Sequence, residues 1–186
     1  LELDGGEAKV ADLASYSLAM NGCGDVELGD TSGPAEISLN GSGDVTLGES
    51  AVLKLSINGS GDVEAGGVRG EGVISLRGSG DAEIDSIGDE LTADLRGSGG
   101  IVIGEVSGST TVSVLGSGDV TIGDGNVSNL KIDLRGSGDT SVRGQANDVS
   151  VLLYGSGDVY VARATGNRDV NRYGSGDVRI GDQRYD

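Results

Sequence analysis

Residues 37–47 read Ile-Ser-Leu-Asn-Gly-Ser-Gly-Asp-Val-Thr-Leu, and this stretch decides the fold. Ile37, Leu39, Val45 and Leu47 are apolar, and polar residues sit between the members of each pair. A period of two is the mark of a strand with one buried face. Between the two apolar pairs lies Gly41-Ser42-Gly43-Asp44, a run suited to a tight corner. The stretch therefore reads as strand, corner, strand.

The same motif, with single-letter variants, starts at Gly22, Gly41, Gly59, Gly78, Gly97, Gly116, Gly136, Gly155 and Gly174. The spacings are 19, 18, 19, 19, 19, 20, 19 and 19 residues. Cys23 replaces the serine of the first motif, and Gly100 replaces the aspartate of the fifth. Apolar residues recur two and four positions before each motif and four and six after its first glycine, with Thr140 and Arg172 the exceptions. No 3.6-residue period extends over a useful length, so no helix is predicted.

One such repeat cannot bury its apolar face alone. Stacked repeats can, because like residues then form columns about 4.8 Å apart. The prediction is an all-β, single-stranded, right-handed parallel β-helix: a solenoid of about nine 19-residue coils with Gly-Ser-Gly-Asp corners. The hand follows from the preference of parallel connections for right-handed crossovers. A single domain is expected over residues 1–186, with 1–17 as an N-terminal cap or partial coil, 18–182 as repeats and 183–186 as a tail. Ala8 to Leu13 are expected to fold over the first coil. Arg172, in a core column of the last coil, suits a terminal rung that meets water. The motif glycines share the inward parity, which calls either for α-carbons facing the core or for φ > 0.

Composition agrees with a repeat that turns often. The 186 residues include 36 Gly, one Pro and no Trp, Phe or His. The net charge is −17, so phosphate backbones and anionic membranes are poor partners. Cys23 is the only cysteine, which excludes an intrachain disulfide. No apolar run approaches the ~20 residues that span a bilayer as a helix. The chain opens on Leu1-Glu2-Leu3, which reads like the tail of a strand, so a preceding segment such as a leader is expected.

The aspartates of the motif form a column: Asp25, Asp44, Asp62, Asp81, Asp119, Asp139, Asp158 and Asp177. Stacked carboxylates about 5 Å apart repel by about 1 kcal/mol per pair even in water, so something must offset the repulsion. The first reading is that corner amides or serine hydroxyls donate hydrogen bonds to them. The second is a ladder of weak Ca²⁺ sites, since hard cations take oxygen ligands. No other cofactor is expected.

The residue before each motif forms a second outward column: Asn21, Asn40, Asn58, Arg77, Arg96, Leu115, Arg135, Tyr154 and Tyr173. Asparagines can bond along it, and arginines can neutralise nearby aspartates. Tyr154, Tyr160 and Tyr173 are read as an aromatic patch that suits sugar rings or protein partners. Catalysis has little support. There is no His for acid–base chemistry and none to activate Cys23.

Serial Gly-Ser-Gly-Asp-Val motifs between short alternating strands, such as Gly41 to Val45 and Gly116 to Val120, resemble those of the head GIN domain family. The resemblance covers about residues 18–182. It implies a bacterial cell-envelope β-helix, periplasmic or on the cell surface, described as an auto-transporter adhesin. It also implies the shape of pectin-lyase-type helices without their catalytic residues. The expected role is non-enzymatic, in adhesion or in binding a protein or glycan at the cell surface. The alternative is a polysaccharide-active enzyme on the same scaffold, but eight equivalent aspartates argue against one selected pair. End-to-end polymerisation is a third reading, weakened by the arginine-rich last coil.

Overall fold

The computed structural model describes residues 1–185; Asp186, the last residue of the expected tail, lies outside them. The described residues contain strands and turns but no helix. Eighteen strands join in one hydrogen-bonded sheet that winds into a solenoid. At about 4.8 Å per rung, nine rungs extend roughly 43 Å.

The predicted columns are present. On the first side, leading into the corners, Leu39 pairs with Met20 and Ile57, Ile57 with Leu76, and Leu76 with Leu95. On the second side, leaving the corners, Val45 pairs with Val26 and Val63. All of these side chains are buried in one continuous aliphatic core. A fifth inward column lies six residues before each motif, where Tyr16, Ala35, Leu53, Leu91, Leu130 and Val149 are buried. Thr140, an exception to the apolar pattern, is buried all the same, and its hydroxyl has no hydrogen-bond partner.

A third side closes the cross-section. In the middle rungs the chain runs through it without a break, in the strands Ile101–Gly116, Val120–Gly136 and Thr140–Gly155. Variation in repeat length collects here. Gly108 pairs with Val127 but Ser109 with Asn129, so Ser128 bulges out and absorbs the extra residue of the 20-residue repeat.

The two motif glycines are needed for different reasons. Gly78 adopts φ 135°, a region that side chains rarely enter. Gly80 has no positive φ, but a β-carbon there would collide with the carbonyl oxygen of Gly61 in the rung below.

The ends differ from the expectation in part. Glu2–Leu3 pairs with Ala19 and Met20, and Ala8–Val10 with Val26 to Leu28. Ala8 to Val10 therefore extend the stack as a shortened rung and do not lie across its end. At the far end Arg168 and Arg172 take inward positions and donate to the carbonyl oxygens of Ala164 (2.7 Å) and Gly176 (3.0 Å). Gln183–Tyr185, read from the sequence as tail, forms the one antiparallel strand among the described residues. It turns back at Gly181 (φ 60°) and lays Tyr185 against the core.

Candidate functional site

The corner aspartates are tied to the backbone of the following rung. At each corner the hydrogen-bonding direction reverses. Ser79 N–H donates back to Gly59 O (2.8 Å), whereas Ala82 N–H donates forward to Gly100 O (2.9 Å). The Asp81 amide lies between these two, and the Asp62 Oδ1 accepts it at 2.8 Å. The same bond joins Asp62 to Asp44 (3.1 Å), Gly100 to Asp81 (2.6 Å), Asp139 to Asp119 (2.7 Å), Asp158 to Asp139 (2.7 Å) and Asp177 to Asp158 (2.8 Å). Gly100 has no carboxylate to pass on, so the ladder starts afresh at Asp119. Asp25 is outside it, because the Asp44 amide donates to Gly24 O instead (3.0 Å).

A second, shorter carboxylate ladder stands at the other end of the second side. Asp30 N–H donates to Asp12 Oδ1 (3.0 Å) and Glu49 N–H to Asp30 Oδ1 (2.9 Å). At a different position, just before the first-side strands, Asp148 Oδ1 accepts the Asn167 amide in the same way (2.7 Å). Among the described residues, no group of three or more His, Cys, Asp or Glu is arranged to hold a metal ion.

The outward column on the first side is also laddered. Asn40 Nδ2 donates to Asn21 Oδ1 (3.2 Å) and Asn58 Nδ2 to Asn40 Oδ1 (3.1 Å). Arg96 and Arg135 pair with Asp94 and Asp133, two residues back in their own strands, and not with the corner aspartates. The hydrogen bond to Asp133 raises the Arg135 pKa further above its ordinary value. Tyr154 and Tyr173 stack with ring centroids 4.8 Å apart and planes 13° from parallel. The Arg135 guanidinium lies 5.4 Å from the Tyr154 centroid. Arg135 precedes Tyr154 in the column and Tyr173 follows it, so both faces of the Tyr154 ring are occupied.

The family described as putative auto-transporter adhesin, head GIN domain, matches residues 9–124 and again residues 74–183. This chain belongs to the head GIN domain family. The family's name points to an adhesin-like domain at a surface or outside the cell. Comparisons with curated proteins and with solved structures each found no match. Among the described residues of this head GIN domain, no helix is long and apolar enough to cross a membrane. Cys23 is exposed in its corner.

The three tyrosines do not form one patch in this head GIN domain. Tyr160 stands on the second side, between Ser141 and Arg179 in the register. It borders two shallow hollows near the C-terminal end, of ≈ 490 and ≈ 410 Å³. Arginines from several elements converge there. Residues 163–185 hold five arginines against three aspartates, whereas residues 1–162 hold eight basic against 26 acidic residues. The sequence shows this clustering, but not the concave step that gathers it around Tyr160.

Proposed function

We propose that this head GIN domain is a non-enzymatic module of the bacterial cell envelope, a stiff acidic rod that binds a protein or glycan partner in adhesion. The family match supports the surface role. The non-enzymatic reading rests on the corner carboxylates. An enzyme that cleaves a glycosidic bond with two carboxylates sets one pair apart in environment. Here six corner carboxylates accept the amide of the following rung in the same way, and none is singled out.

The experiment coats beads with the purified domain and measures their retention on cell layers and on extracellular-matrix glycans. The same protein is incubated with acidic and neutral polysaccharides. Retention above that of inert beads with no new reducing or unsaturated ends is the expected result. Turnover abolished by one aspartate substitution would replace this reading with the polysaccharide-active enzyme.

A further inference from the structure

The last full rung ends in a step. Val159, Tyr160 and Val161 pair with Val178, Arg179 and Ile180, and there the pairing stops, because the chain turns away at Gly181. Ala162 to Ala164 therefore have no strand partner on that side among the described residues. The hollow left beside them is lined by Tyr160, Arg163, Arg168 and Asp182 and measures ≈ 490 Å³. That lies within the range of small-ligand sites, roughly 300–1,000 Å³.

Three of its groups are available to a ligand. Tyr160 is 39% exposed, and no ring or cation stacks on it among the described residues. Arg163 is exposed and makes no hydrogen bond or ion pair among the described residues. Arg168 is held in place by Ala164 O (2.7 Å) and Gln183 Oε1 (2.6 Å). A guanidinium has five N–H donors, so this leaves donors unused in a fixed plane. Tyr160 and Asp182 also border the second hollow, where Arg179 and Arg184 stand beside Asp158 and Asp177 and Arg184 is paired with Asp177 (2.7 Å).

We propose that the step beside Tyr160 binds a carboxylate-bearing sugar. One pyranose face stacks on the Tyr160 ring, and the carboxylate lies against Arg163 and Arg168. This deepens the partner-binding reading above and rests on it. The choice of ligand follows from the residues. A free aromatic face suits the apolar face of a sugar ring. Paired guanidinium donors suit a carboxylate. Asp182 supplies carboxylate acceptors for hydroxyl groups. Charge also favours this end for an anion, because residues 163–185 hold five arginines against three aspartates while residues 1–162 are strongly acidic.

The test is calorimetry on the whole domain with three carboxylated probes: hyaluronate hexasaccharide, sialyllactose and trigalacturonate. Chitohexaose and lactose serve as neutral controls and hexaglutamate as an acidic peptide. At least one carboxylated sugar should bind saturably and the neutral sugars should not. Tyr160→Ala and Arg163→Glu should each weaken it by about tenfold or more, the loss of a charge-assisted or stacking contact. Arg77→Glu, the same charge change on the first side, should leave it unaltered. Both site residues are exposed, and thermal melts confirm that each variant folds. Binding to none of the three sugars overturns the proposal. Equal binding of hexaglutamate, insensitive to Tyr160→Ala, overturns it in favour of an acidic peptide. If sugar binding is absent while bead retention persists, this site fails and the adhesive reading stands. If both are absent, both fail.

Discussion

At Asp62 a single atom change separates two effects. Its Oδ1 accepts the Asp81 amide, while its charge faces the neighbouring carboxylates of the column. Asp62→Asn keeps an oxygen acceptor and removes the charge, so its melting temperature should match or exceed that of the parent. Asp62→Ala leaves the amide without its acceptor and should cost about 1 kcal/mol in denaturant unfolding. Thr140→Val should act in the opposite direction. It replaces a buried hydroxyl that has no partner with a methyl group of similar shape, and Val120 and Val159 already flank it. A gain of about 1 kcal/mol is expected. Tyr16 gives a pH signature. Burial of its ring, with the nearby Asp12 carboxylate second, raises its pKa above the ordinary value near 10.0, and its hydroxyl donates to Ala11 O at 2.7 Å. The raised value favours the protonated folded form. Its contribution is therefore complete below pH 10 and is lost as the pH rises through the folded-state value. Tyr16→Phe should flatten that alkaline fall in stability, read from melts between pH 8 and 11. The aspartate column was legible as eight letters in register, and hydrogen bonding was the first reading of it. Which amide donates was not legible. The answer depends on the reversal of bonding direction at the corner, and that reversal exists only once two rungs are stacked. The second ladder was hidden for another reason: its members, Asp12, Asp30 and Glu49, differ in type and fall outside the motif.

The strands beside the corners were the most legible elements, because their period of two and their fixed distance from the motif agree. The third side was not, because repeat length varies there and its inward column mixes residue types. Ser50, Val68, Ile87 and Val106 stack at one position there. That difference predicts unequal tolerance to insertion. One glycine added after Ser128 enlarges an existing bulge, and its melting temperature should stay within a few degrees of the parent. One glycine added after Ile132 shifts Leu134 to the outward parity and Asp133 inward. That variant should lose cooperative unfolding in circular dichroism. The aromatic patch was legible only in part at this scale: Tyr154 and Tyr173 stack, and Tyr160 stands apart from them. Tyr154 and Tyr173 occupy one column and Tyr160 another side, and only the path of the chain around the corner separates them.

For the whole molecule, net charge and stacking oppose each other. A charge of −17 on a rod built of laddered carboxylates is self-repulsive, and added salt screens it. Sodium chloride should therefore raise the melting temperature. Calcium chloride at matched ionic strength tests the cation ladder directly. Equal melting curves are the expected outcome, because the corner oxygens already serve backbone amides. A calcium-specific rise would restore the ladder of cation sites. The arginines at the last rung bear on a different matter. The backbone pairing joins each turn to the turns on either side through positions that largely recur, with Arg69 reaching two turns back to Thr31 O (3.1 Å), while Arg168 and Arg172 close the far end with groups no interior turn could bury. A whole turn can thus be gained or lost in the interior with the backbone pairing preserved. Relatives descended by duplication should differ in length by multiples of about nineteen residues, all of them keeping their cationic lid in the final place.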